Sequence, residues 1–470
     1  GGGGGRGGGG GGGAGGRGGR GGADSANAVP VPLQRPRPPG SFGNIISGLT
    51  QPEALRFQWN TPFMLSPHNP NTLLIGSNRF HRSDDRGDNW TASPDLTKAI
   101  NRETREIMGV LPGGGRGGAD ASRPAMIAQH DGVQSYSNLV TIAESPVLPG
   151  LYWTGADDGN LETSRDGGLT WTNVTDRVTG SPKECYVSRV EPSHFDAATN
   201  YVSFDCHRND DHKPYVYVTH DYGQTWKSIA ANLPTPGNVN VIKEDIRNPN
   251  LLFVGTEYAF WVSLDAGNSW KKFMNNLPVV RIDDVLIHPR ENDLVLATHG
   301  RSVWIMDDIT PLEQMTPAVQ SSDFHLFDLR PTVAWIPDIQ MGNRGRMGGM
   351  FTGENPPRGV AINYYLKSAP SGDVSIRITD AQDAPVYVAN GTRNVGLNRV
   401  QWTLVRDTVG PRGRGNADTT AAGGRGGGGG GGGRGGGGGV EAGTYLVTLT
   451  VNGKSMSKPV IVIEDVWLRK

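Results

Sequence analysis

Cysteine is scarce: Cys185 and Cys206 are the only two in 470 residues. Neither a dense disulfide framework nor a zinc site built on C-x-x-C pairs can organise this chain. No stretch reaches the ~18 consecutive apolar residues that a membrane-crossing helix needs. Excess charge of one sign is also missing, since 45 Lys and Arg stand against 46 Asp and Glu for a formal net charge of −1. That balance gives no global bias toward nucleic acid or an anionic membrane surface. His130, His194 and His288 are dispersed with no H-x-x-x-H spacing, so no metal and no cofactor is expected. The sequence starts with Gly rather than Met and carries no signal pattern, which leads to the expectation that an N-terminal part precedes it.

Glycine is abundant, at 70 residues, and more than half of it lies in three tracts, 1–22, 113–118 and 413–439. Arginine punctuates these tracts, but the interleaved Phe or Tyr that would stack on nucleic-acid bases is absent. They are expected to be disordered: a Gly/Arg-rich segment over 1–40 and a loop over 410–439, whose chain entropy no core could offset.

The remaining sequence is organised by repetition. Ser83-x-Asp85-x-Gly87-x-x-Trp90 recurs as Ser164-Asp166-Gly168-Trp171, Thr219-Asp221-Gly223-Trp226 and Ser263-Asp265-Gly267-Trp270. As a hairpin turn the motif is physically coherent. Asp accepts from loop N–H groups, Gly supplies a positive φ, and Trp folds back between neighbouring sheets. At these residues the chain resembles the Asp-box, or bacterial neuraminidase, repeat of sialidases, xyloglucan-cleaving glycoside hydrolases and sortilin-type sorting receptors. The resemblance implies that the boxes lie on the outer part of propeller blades, so Asp85, Trp90, Asp166, Trp171, Asp221, Trp226, Asp265 and Trp270 are structural.

Each box follows a Pro/Asn-rich turn and a short apolar strand that ends in a small and then a polar residue, as in LLIGSN, LYWTGAD, YVSFD and LLFVGTE. A fifth copy, LVLATH, continues as SVWIMDD without a box. Four short antiparallel strands per ~40 to 50 residues is the arithmetic of a β-propeller blade. Five blades are thus predicted over 41–310, with an insertion at 95–134 that carries a helix-like run from Thr97 to Met108. A sandwich or solenoid is the alternative architecture. Because propellers usually need six or more blades to close, the expected N-terminal part would supply the rest, or this piece is an open arc.

After a connecting segment at 311–355 with one predicted strand around Phe324 to Leu329, strands without boxes alternate apolar and polar residues over 356–470, the pattern of a small β-sandwich. Gly396-x-Asn398-x-x-x-Trp402 and Gly443-Thr-Tyr445 resemble the Ig-like domain of flagellar-hook capping proteins and the C-terminal sandwiches of secreted bacterial proteins. The fold class is therefore all-β: propeller blades with Asp-box hairpins followed by an Ig-like β-sandwich. Residues 57–465 as a whole resemble the C-terminal half of bacterial sortilin-like proteins of the type labelled glycosyl hydrolase.

If Val190 lies opposite Tyr201, constant antiparallel register puts Cys185 opposite Cys206, where a cross-strand disulfide is feasible. Two small buried thiols are the alternative. Aligning the five repeats places Asn78, Asp157, Asp205, Glu257 and His299 at one equivalent position, where they could ring a mouth of the axial channel together with Arg301. These residues are binding candidates, or simply turn caps. Glycoside hydrolysis needs two carboxyl groups about 5 Å apart for retention or ~6.5–9.5 Å for inversion, which makes Asp157, Asp205 and Glu257 the catalytic candidates. Sialidase chemistry would need three arginines on a carboxylate; Arg56, Arg189 and Tyr186 are near inner strands, but no third arginine recurs in register. The functional expectation is an exported module, secreted, periplasmic or on the cell surface, that binds a polysaccharide or a protein. The alternative is a glycoside hydrolase whose cleft is completed by the N-terminal part.

Overall fold

The computed structural model describes residues 55–101, 136–335, 355–407 and 439–466. The segment 1–40, the Gly tract 113–118 and nearly all of the 410–439 loop lie outside the described residues. Of the helix-like run only 97–101 is described, and it holds no helix.

The chain is all-β, and its first part is an arc of propeller blades. Four blades are four-stranded antiparallel sheets over residues 63–95, 139–173, 186–228 and 239–272; the fifth, over 282–306, has three strands. The innermost strands are Phe63–Leu65, Leu139–Glu144, Tyr186–Pro192, Val239–Glu244 and Ile282–Ile287. The four S/T-x-D-x-G-x-x-W turns are superimposable in their bonding. In each, the Ser or Thr hydroxyl donates to the Asp carboxylate and accepts from the Gly N–H, as in Ser263 Oγ to Asp265 at 2.7 Å and Gly267 N to Ser263 Oγ at 2.8 Å. The Gly sits at φ +80° to +97° in all four, a region closed to side chains with a Cβ at little cost. From the second blade on, the Trp reaches back to the preceding blade: the Trp171 and Phe80 rings lie 5.2 Å apart, Trp226 meets Trp153 edge-on at 6.0 Å, and Trp270 Nε1 donates to Ile229 O at 2.8 Å.

The blade junctions explain the small residue near the end of each second strand. Gly76, Gly155, Ser203, Gly255 and Ala297 pair with Phe80, Leu161, Val216, Phe260 and Val303 on the third strand. The inner strand of the following blade packs directly onto this position. A Cβ on Gly155 would stand 2.4 Å from Val187 Cγ1, and one on Gly255 would stand 2.8 Å from Ile282 Cβ. Around this contact Trp153, Leu161, Val187 and Val202 form one core cluster, and Phe253, Phe260, Ile282 and Val285 form another. Burial of each such side chain contributes about 1.5–3 kcal/mol, so the junctions hold the arc together. No described residue covers the start of the arc: Phe63 is 78% exposed, whereas Val190 and Ile242, its counterparts opposite the matching second-strand residue, are buried.

The sandwich follows. One sheet has the order Phe324–Leu326, Val360–Leu366, Gly396–Trp402; the other runs Thr332–Ala334, Lys454–Glu464, Gly443–Val451, Val374–Thr379, Pro385–Asn390. Trp402, Tyr364, Ile376 and Val447 fill the space between them. The segment read from sequence as a connector is more than that. It holds two short helices, Thr310–Glu313 and Pro317–Ser321, and it supplies the strands Phe324–Leu326 and Thr332–Ala334, one to each sheet.

Cys185 and Cys206 are bonded, with their Cα atoms 4.9 Å apart. The register that leads there differs from the sequence argument. Tyr201 pairs with Glu191 and Val190 with Val202, one residue off; a bulge between Ser203 and Phe204 then shifts the pairing so that Asp205 faces Tyr186. The bulge cancels the offset just before the cysteines.

Candidate functional site

A bulge of the same kind recurs in four inner strands, and it builds the site. Pairing slips at Leu139/Thr141, at Ser203/Phe204, at Val239/Val241 and at Ile282/Asp284. The extra residues are Val140, Ser188, Asn240 and Asp283. A bulge leaves one residue unpaired and re-aims its side chain, and all four line a single open cleft of ≈ 1620 Å³. Phe57, Trp59 and Phe63 from the first blade and Asp284 and His299 from the fifth complete its rim.

The equivalent polar residues at the second-strand ends sit at matching places, but they do not form one ring. Asp157, Glu257 and His299 each donate their backbone N–H to the residue before the inner strand, to Asn138, Asn238 and Arg281 at 3.0–3.1 Å. Only Asp205 and His299 reach the cleft wall. Asn78 is buried and tied into the first blade, accepting from Arg56 N at 3.1 Å and donating to Asp95 at 2.8 Å. Asp157 is 1% exposed and accepts from Asn138 N at 2.8 Å, from the Asn138 amide at 3.2 Å and from Gln58 at 3.3 Å. Glu257 meets the cleft only through its ion pair with Arg281 at 3.4 Å. Arg301 is exposed and lies outside the lining.

Tyr186, Arg189, Arg208 and Arg281 bring three guanidinium groups into the cleft. Two of the three are neutralised: Arg189 pairs with Asp284, and Arg281 with Asp283 at 2.6 Å and Glu257. That leaves no set of three free arginines for a sialidase-type grip. Arg208 stacks over the Tyr186 ring at 4.9 Å. Among the described residues it has neither an ion pair nor a hydrogen bond, and its Nη1 is buried without a partner. Arg189 Nε and both amide atoms of Asn240 are likewise buried and unpartnered. Sequence reasoning passed over Asn240, because a bulged residue looks like any other strand residue until the pairing is known.

Burial governs the electrostatics. It pushes Asp157 up to about 6 despite the donors from Asn138, and it pushes the Tyr186 hydroxyl up to about 12. Asp205 is buried too, but the His207 ring at 2.6 Å, the His207 N–H and Arg281 outweigh that burial and hold its carboxyl below the usual range. The described residues contain no group of three or more metal-ligating side chains, and none of their helices is long and apolar enough to cross a membrane.

The model of the Sortilin-Vps10 family (sortilin, neurotensin receptor 3) matches residues 214–324, the later blades and the start of the sandwich. The match covers less than a quarter of the chain; the blades themselves define a β-propeller, and over this stretch it is similar to that family. The chain is similar to the GH74 xyloglucanase from Xanthomonas campestris, at 16% identity over 64% of this chain and 42% of that one, with a TM-score of 0.39. Similarity extends to the GH74 enzyme of Niastella koreensis (14%, 52% and 45%, TM-score 0.29) and to YCF48 from Cyanidioschyzon merolae (13%, 56% and 74%, TM-score 0.31). It spans less than half the length of either hydrolase. No curated protein sequence matches the chain.

Proposed function

We propose that this chain is an exported binding module whose axial cleft holds a saccharide. The observation that carries this reading is the division of labour among polar groups. Asn240, Arg189 and Arg208 line a cleft rimmed by the exposed Trp59 and Phe63, and each keeps a buried polar atom unbonded in its wall, whereas Asp157 and Asp205 spend their oxygens on backbone N–H groups and on His207. Aromatic faces with a few convergent polar atoms suit sugar rings and hydroxyls.

One observation favours the alternative of glycoside hydrolysis: Asp157 is raised and Asp205 lowered, the divergence that separates a general acid from its partner carboxylate. Against it, Asp157 is sealed from solvent and cannot reach a glycosidic oxygen without losing three donors. Closure of the arc by a further propeller part, supported by the first-blade face that no described residue covers, would deepen the cleft in either case. A glycan array combined with a reducing-end release assay tests the proposal. Saturable glycan binding without release of reducing ends is the expected result; turnover that D157N and D205N abolish would replace binding with hydrolysis.

A further inference from the structure

We infer that the saccharide held in this cleft is acidic, a uronate-containing chain whose carboxylate is gripped by Arg208 with help from Asn240 and Arg189. The inference rests on the reading of the cleft as a saccharide site and specifies its ligand class.

Charge counting comes first. Arg189 is matched by Asp284, Arg281 by Asp283 and Glu257, and His207 by Asp205. Among the described residues of the cleft, Arg208 is the cation left without a carboxylate. A buried guanidinium nitrogen with no acceptor is costly, and the stack on Tyr186 supports the plane of the group without supplying that acceptor. An incoming carboxylate would, because its two oxygens match the guanidinium fork.

Position supplies the second argument. Arg208 lies over Tyr186, and Arg189 is three residues further along the same strand. Ser188, the bulged residue just before Arg189, donates from Oγ to Val239 O at 2.7 Å, which ties this strand to the start of Val239–Glu244, the strand that carries Asn240. Asn240 is 6% exposed, lines the cleft, and has neither its amide N–H nor its carbonyl bonded. An apolar side chain would serve as well there if the site were only structural. Arg208 Nη1, Arg189 Nε and Asn240 Nδ2 are three unfilled donors, while Asn240 Oδ1 is left to accept from a sugar hydroxyl.

The surroundings select among anions. Asp205, Asp283 and Asp284 line the same cleft and would repel a densely charged sulfated or phosphorylated polymer. A chain with one carboxylate per sugar tolerates them. The volume of ≈ 1620 Å³ exceeds the ~300–1,000 Å³ of a small-molecule pocket, and the rim aromatics Phe57, Trp59 and Phe63 can stack on successive rings.

Calorimetric titration of the whole chain with oligogalacturonate and with its fully methyl-esterified, neutral form tests this. The acid is expected to bind at least tenfold more tightly than the ester. R208Q should erase that preference by lowering the acid's affinity at least tenfold, to that of the ester measured on the same variant, R208K should restore part of it, and N240L should weaken both probes. Thermal melts of each variant check that the fold survives. Equal binding of acid and ester, or a preference that persists in R208Q, overturns the inference. Binding of neutral glycans alone would overturn it while leaving the saccharide reading standing. Capture of an acidic peptide such as oligoglutamate, with no saccharide bound, would end both.

Discussion

Val303 occupies in the fifth blade the place that Phe260 holds in the fourth, yet Phe260 is 1% exposed and Val303 58%. The same holds two residues on, where Val262 is buried and Ile305 exposed. Phe260 and Val262 lie beneath the fifth blade, and Val303 and Ile305 are the corresponding face with no blade described above it. Lysine at the two pairs should therefore act differently. V303K and I305K are expected to change stability by less than ~0.5 kcal/mol, as surface substitutions do, and F260K or V262K to cost several. Urea denaturation of the four variants measures the contrast; a large loss in V303K would mean that its face is covered in solution.

The repeat, the blade count and the all-β class were legible because each is encoded locally. Gly87, Gly168, Gly223 and Gly267 are forced by positive φ, and the small residue at Gly155 or Gly255 by the strand that crosses it. Alignment on these positions also recovered equivalent places for Asp157, Glu257 and His299, whose N–H groups bond alike. The cleft itself was not legible. Its lining depends on Ser188, Asn240 and Asp283 being bulged, and a bulge is a property of the pairing between two strands, invisible in either strand alone. The strands at Phe324–Leu326 and Thr332–Ala334 were missed as sandwich members for a related reason, since their partners lie far along the chain.

Gly155 gives the sharpest packing test. A Cβ there would lie 2.4 Å from Val187 Cγ1 and 2.7 Å from Val187 Cβ, so Gly155→Ala must push the second and third blades apart. Overpacking of this kind costs about 1–3 kcal/mol. Val187→Ala removes the opposing methyls and should relieve part of the strain. The double variant is thus expected to be more stable than the sum of the single losses implies, by about 0.5 kcal/mol or more in a double-mutant cycle. Strict additivity would show that the two blades do not touch there.

The Cys185–Cys206 bond closes a loop with a sequence separation of 21. In the chain-entropy account, a crosslink of that length stabilises by about 3 kcal/mol through the unfolded state. C185A/C206A should accordingly fold but unfold at lower urea, and reductant should shift the wild type toward the variant. Both cysteines are buried, so reduction is expected to be slow until the third blade opens. Indifference of the wild type to reductant under unfolding conditions would contradict a crosslink.

Asp157 sets a pH dependence whose sign can be worked out in advance. Burial raises its carboxyl from 3.8 to about 6, so the folded chain holds this proton more tightly than the unfolded chain does. Stability from this group is greatest below the unfolded value, declines as pH rises from about 4 to about 6, and stays lower above that. The shift corresponds to about 2–3 kcal/mol. The amide introduced by D157N could still accept from Asn138 N, and the flanking amides of Asn138 and Gln58 can turn to meet its NH₂. The variant lacks the titration, so subtracting its stability curve from that of the wild type cancels the contributions of every other group. The difference should move by about 2–3 kcal/mol in favour of D157N between about pH 4 and about pH 7, read from urea midpoints at each pH. Parallel curves would mean that Asp157 is hydrated in the native protein, which would also reopen it as a residue in contact with ligand.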